Sequence, residues 1–126
     1  MKRTKYKAEK IVVDEITFDS KDEARFYEYL KELKAKERIQ SFELQPEYEL
    51  IPKFKKQGKT YRKMTYTPDF LIYYNDGSTE LIDVKGYSTQ QGELRKKLFD
   101  YKYPDLKLTW IARSLKYGKD GWIEYK

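Results

Sequence analysis

The chain has 126 residues, 39% of them hydrophobic and 17% aromatic, and carries a formal net charge of +6. That describes one folded domain with a single modest core rather than a disordered chain, and a surface suited to a polyanionic partner. Cysteine and histidine are both absent, which excludes disulfides, thiol nucleophiles, Cys- or His-ligated zinc, Ser-His-Asp triads and histidine bases, and leaves any hydrolytic chemistry to carboxylates, lysine and a hard, oxygen-loving metal ion.

Met1 to Lys10 is basic and polar, and reads as a mobile arm or a frayed strand. No apolar stretch follows it, so no signal peptide is expected. No apolar run approaches the roughly 18 residues of a membrane span. Together with the missing cysteines, this sets cytoplasmic placement as the expectation.

Ile11 to Phe18 is expected to form a short strand or hairpin. Ser20 then reads as a helix N-cap with Glu23 as its capping-box partner, and the helix runs to about Lys36. Phe26, Leu30 and Leu33 form its apolar stripe. Glu23 falls near the middle of that stripe, one turn before Phe26 and Tyr27. Two readings of it stand side by side, a capping carboxylate or an acidic group placed for function, and both can hold in different states. Ile39 to Leu50 alternates loosely and is broken by Pro46, as an irregular strand would be.

Lys53 to Lys63 contains Lys53, Lys55, Lys56, Lys59, Arg62 and Lys63 without an acid, with Phe54 and Tyr61 interleaved and a turn signal at Gln57-Gly58. It reads as a hairpin arm leading into the next strand. A solvated loop would have the same composition, but its direct connection to the acidic stretch that follows favours contact with a phosphate backbone.

Tyr66 to Gly86 is the stretch that carries chemistry. Thr67 to Tyr74 and Thr79 to Lys85 have strand composition, and Asn75-Asp76-Gly77 is a turn signal. On the second strand Leu81, Asp83 and Lys85 share one face, with Glu80, Ile82 and Val84 on the other. Loop length decides what the hairpin can do. A two-residue loop pairs Tyr74 with Thr79 and sets Asp69 opposite Val84. A three-residue loop with Gly77 at positive φ pairs Tyr74 with Ser78 and sets Asp69 directly opposite Asp83. The second is the reading adopted. Opposed carboxylates roughly 4.5–5.5 Å apart at Cβ repel, and a divalent cation between them relieves that repulsion.

After Gly86, Ser88 or Thr89 caps a helix from about Gln90 to Tyr101 that carries Lys96 and Lys97 beside Leu94 and Leu98. Tyr103-Pro104-Asp105 ends it. Leu106 to Ala112 is an apolar strand, expected to run parallel to the Asp83 strand after a helical crossover. Arg113 to Gly121 is a basic turn region, and Gly121 to Tyr125 a last short strand. The sum is an α/β fold: a mixed sheet of four or five strands, the first helix on one face and the Gln90 helix on the other.

Pro68-Asp69, a spacer, and Asp83-Val84-Lys85 resemble the motif of the PD-(D/E)xK nuclease superfamily. The wider run resembles an uncharacterised phage and prophage branch of it, through Phe18-Asp19-Ser20-Lys21 with Glu23, Leu44-Gln45-Pro46, Gly86, Lys97-Leu98-Phe99 and Tyr103-Pro104. The resemblance implies a restriction-endonuclease-like mixed sheet flanked by helices, spanning residues 1–126 as a single nuclease-like domain. It implies an Mg²⁺-dependent DNA endonuclease, Mn²⁺ able to substitute, serving phage DNA replication, recombination or processing. Asp69, Asp83 and the Val84 carbonyl would hold the metal. Lys85 would orient or deprotonate the attacking water, and Glu23 would hold a second metal or water. Lys97 matches a basic position near the scissile phosphate. A homodimer is one possible assembly, and the sequence leaves the oligomeric state open. The rivals are a non-catalytic nucleic-acid-binding module, in which the basic arm is functional and the acidic pair vestigial, and a structural protein of a phage particle.

Overall fold

The computed structural model of the chain describes residues 9–116 and 118–125. The expected arm Met1 to Lys10 therefore lies outside the described residues except for Glu9 and Lys10, which pair with Lys21 and Asp19 at 3.7 and 3.9 Å.

A five-stranded mixed sheet forms the centre. Its strands are β3 (Ser41–Leu44), β8 (Phe70–Tyr73), β9 (Thr79–Val84), β10 (Leu108–Arg113) and β11 (Trp122–Glu124), in the spatial order β11-β10-β9-β8-β3. β9 and β10 are parallel and the other pairs antiparallel. Three two-stranded ribbons surround it: β1 (Ile11–Val13) with β2 (Ile16–Phe18), β4 (Tyr48–Ile51) with β7 (Met64–Tyr66), and β5 (Phe54–Lys56) with β6 (Lys59–Tyr61).

The two helices are α1 (Lys21–Ala35) and α2 (Gln90–Lys102). Strand alternation places them on opposite faces of the sheet. Phe26 and Leu30 of α1 join Phe70, Ile72, Ile82 and Ile111 in one core cluster. Phe99 of α2 joins Leu71, Leu81, Leu108 and Trp110 in the other. α2 is the crossover between β9 and β10, as a parallel neighbour requires. Both helices start on side-chain caps. Ser20 Oγ accepts from the Glu23 N–H at 3.1 Å, and Thr89 Oγ1 from the Gly92 N–H at 3.0 Å. No helix among the described residues is long and apolar enough to cross a membrane.

Two expected strands are corrected. Ile39 to Leu50 is not one irregular strand: it divides at Gln45-Pro46 into β3 and β4, which pair with β8 and β7 in different sheets. Gln45 has φ +49, and proline has no N–H to continue a ladder. Thr67 to Tyr74 is likewise shortened. β8 starts at Phe70, because the fully buried Pro68 separates it from β7.

Candidate active site

The β8–β9 turn sets everything that follows. The Tyr74 N–H donates to the Ser78 carbonyl at 2.9 Å, the Gly77 N–H donates to the Tyr74 carbonyl at 3.1 Å, and Gly77 has φ +90. This is the three-residue loop. The register then runs Tyr73↔Thr79, Ile72↔Glu80, Leu71↔Leu81 and Phe70↔Ile82, which carries Asp69 opposite Asp83.

Beyond Phe70 the ladder passes from backbone to side chains. The Asp69 N–H donates to Asp83 Oδ1 and the Val84 N–H to Asp69 Oδ2, each at 2.9 Å. Each aspartate thus caps the other's strand. The second oxygen of Asp83 accepts from the Tyr66 hydroxyl, which in turn accepts from Trp110 Nε1 at 2.9 Å. Burial and the neighbouring Asp83 push the Tyr66 phenol far above its ordinary value, so this hydroxyl remains a donor. Lys85 Nζ lies 3.8 Å from Asp83 Oδ2 and 4.6 Å from the centre of the Trp110 ring.

Asp69 is less well served. Burial, then Asp83, then Glu23 push its carboxyl up to about 8, against the lowering pull of the Val84 N–H and Lys85. Glu23 acts on it electrostatically from the first turn of α1. Burial and the charge of Asp19 raise Glu23 as well. Ser20 Oγ donates to Glu23 Oε2 at 3.2 Å, so the residue serves the helix cap and faces the aspartates at the same time. The helix-cap reading of Glu23 is thus borne out, and its position on the side of the aspartates is where the other reading would need it.

Two openings flank this group. A cleft of about 870 Å³ is bordered by Glu23, Val84, Lys85 and the first residues of α2. A smaller one of about 330 Å³ is bordered by Tyr66, Asp69, Asp83, Lys85 and Arg95. Arg95 Nη1 donates to the Thr65 carbonyl at 3.1 Å, which holds it at this opening. Gln45 donates its N–H to the Asp69 carbonyl at 3.0 Å and so fixes the backbone behind the site.

Asp69, Asp83, Lys85, Val84 and Glu23 are thus brought together. Lys97 is not: it lines a neighbouring hollow with Lys96, Asp100 and Tyr125. The helix explains why. Arg95 is three residues after Gly92 and four before the buried Phe99, on the face toward the sheet, whereas a residue two positions on is turned about 200° away. Lys53, Lys55, Lys56, Lys59, Arg62 and Lys63 lie along the exposed β5–β6 ribbon and its flanks. Tyr66, Trp110 and Arg95 were not anticipated. Arg95 could have been found from its helical spacing. Tyr66 and Trp110 meet Asp83 only through long-range pairing, for which no local signal exists.

The donors facing the opening are oxygens, as magnesium or manganese prefers. Among the described residues, no three acidic side chains are gathered closely enough to form a ready-made metal cage. Magnesium sites commonly use only one or two carboxylates plus water and phosphate oxygens. Burial first, and neighbouring carboxylates second, raise Asp69 and Glu23, and a cation would favour their charged forms. The residues present fit such an ion.

Residues 3–119 match the model of a family described as "Protein of unknown function (DUF1064)". No curated protein and no solved structure matches the chain.

Proposed function

The chain belongs to the DUF1064 family, and we propose that it is a metal-dependent endonuclease acting on DNA, built on a restriction-endonuclease-like fold. The observation that carries this reading is the register of the β8–β9 hairpin, which opposes the buried Asp83 and the part-buried Asp69 at the end that also carries Lys85. Each carboxylate accepts a backbone N–H from the other's strand, but that role does not require two opposed charges, which repel when no cation lies between them.

Asp69, Asp83 and the Val84 carbonyl would hold Mg²⁺ or Mn²⁺, with Glu23 placed for a second ion or a water. When bound, such an ion supplies positive charge at the phosphate and an acidified water. The remaining work falls to the chain's own side chains. Lys85, beside Asp83 and half-buried against Trp110, would orient or deprotonate the attacking water and offset charge developing on the phosphate. Tyr66, itself held by Trp110, fixes the rotation of the Asp83 carboxylate. Arg95 would meet a phosphate oxygen at the smaller opening.

The rival with a specific observation behind it is a non-catalytic DNA-binding module, favoured by the exposed cationic β5–β6 ribbon. Purified protein assayed on labelled duplex, nicked, branched and single-stranded DNA and on RNA, with Mg²⁺, Mn²⁺ or EDTA, separates the two. The nuclease reading expects cleavage of at least one DNA form with Mg²⁺ or Mn²⁺ and none in EDTA. Binding to DNA with cleavage of no form would leave the binding module.

A further inference from the structure

We propose that one face of the β5–β6 ribbon is a stacking platform for unpaired DNA bases, so that the DNA bound here carries a single-stranded segment, such as a flap, overhang or fork, beside its duplex. The proposal deepens the nuclease reading and rests on it for the link to cleavage.

The ribbon pairs Phe54 with Tyr61, Lys55 with Thr60 and Lys56 with Lys59. Alternation then puts Phe54, Tyr61, Lys56 and Lys59 on one face. Three features of that face have no counterpart in the core. The Phe54 and Tyr61 rings are parallel, 7° apart in plane with centroids 4.6 Å apart, yet 43% and 38% exposed. Neither belongs to a buried cluster of the domain. The two lysines are directly opposed, an arrangement that weakens a ribbon unless an anion comes between them. Among the described residues, Lys63 is the one cation of this segment paired with a carboxylate, Glu47 at 3.4 Å.

A parallel ring pair staples a short ribbon, and that accounts for its geometry. It does not account for six cations without an acid around it. Aromatic faces interleaved with cations are what single-stranded nucleic acid uses, because every base has a π face whatever its sequence. The backbone of the lysine pair lies two residues along the ribbon from the rings, and Lys59 Nζ reaches back over Tyr61 to 5.0 Å from its ring centre. A base stacking on Tyr61 displaces this ammonium, which then meets the sugar-phosphate chain of that base. In continuous duplex the base faces are already stacked, and only the phosphates remain to be met.

The chain also bounds where the unpaired base lies. Asp69 is eight residue steps beyond Tyr61. At about 3.3–3.6 Å each they reach at most about 29 Å, which corresponds to about eight stacked nucleotides.

The test measures binding in EDTA, where no cleavage intervenes. Wild type is compared with the Phe54→Leu/Tyr61→Leu double variant on a forked DNA and a blunt duplex of equal length, with 2-aminopurine at the unpaired position. Wild type should prefer the fork at least about fivefold, quench the 2-aminopurine, and lose both in the double variant with its salt dependence unchanged. The Phe54→Trp/Tyr61→Trp variant should retain both. Equal affinity of wild type for fork and duplex would overturn the proposal, and so would a fork preference that survives in the leucine variant. Loss of the preference in the tryptophan variant would show that the pair only staples the ribbon, and would overturn it too. Failure of the nuclease reading appears differently: fork preference intact, with no cleavage of any form when Mg²⁺ is added.

Discussion

The end of the β8–β9 hairpin and the β5–β6 ribbon are opposites in almost every respect. The first is acidic, largely buried and assembled from α1, two sheet strands and the loop before them. The second is basic, exposed at all six of its strand positions, and made from one contiguous stretch of sequence. What they share is like charge held close together. Burial raises both Asp69 and Glu23, with Asp83 and Glu23 adding to the first and Asp19 to the second, and Lys56 opposes Lys59. On the proposed function, the two would take ligands of opposite sign: a cation at the sheet end and a polyanion along the ribbon. The Met64–Tyr66 strand lies between the two regions in the chain.

The comparison breaks most visibly at Lys85. Lys85→Ala should lower single-turnover cleavage by about 10²–10⁴-fold while DNA binding persists. An unchanged rate would remove Lys85 from the chemistry. At the ribbon, Lys55→Glu, Lys56→Glu and Lys59→Glu combined should weaken binding by about a hundredfold near physiological salt. The slope of log affinity against log salt should also flatten by about three units for duplex. Affinity and slope both unchanged would show the ribbon to be merely solvated.

Tyr66→Phe sharpens the acidic side alone. It takes one donor from Asp83 and leaves Trp110 Nε1 without its acceptor. Metal affinity should fall about 10- to 100-fold, and stability by about 1–3 kcal/mol. Equal Mg²⁺ titrations for variant and wild type would show that Tyr66 does not position Asp83.

A further effect concerns pH. Asp69 in the folded chain holds its proton to about 8, whereas in the unfolded chain it releases it near the ordinary value of 3.8. Across that window the folded state binds more protons than the unfolded one, so this group makes wild type less stable as pH rises. Asp69→Asn lacks the titration. In EDTA its melting temperature should exceed that of wild type by a margin that widens from pH 5 to 8 and then levels off. A margin independent of pH would contradict the burial-driven shift.

Much of this was legible in the residues, for unequal reasons. A turn of fixed length with a glycine at positive φ determines a register by counting, so the opposition of Asp69 and Asp83 follows from Asn75-Asp76-Gly77. The ribbon was legible because Gln57-Gly58 and its flanking rings are local signals. The division of residues 39–50 between two sheets was not, since Pro46 marks a break without saying which partner each half will take. Arg95 was hidden for another reason: likeness to a family motif drew attention to Lys97, while helical periodicity turned Arg95 toward the aspartates.

A cation at the sheet end would bind without DNA. Thermal unfolding of wild type and Asp83→Asn, followed as Mg²⁺ is titrated in without DNA, measures it. The melting temperature of wild type should rise with the logarithm of Mg²⁺ concentration above the dissociation constant, and that of Asp83→Asn should stay nearly flat, because the neutral amide cannot replace an anionic ligand. Equal responses in the two proteins, or none in either, would contradict the assignment of Asp69 and Asp83 to a metal.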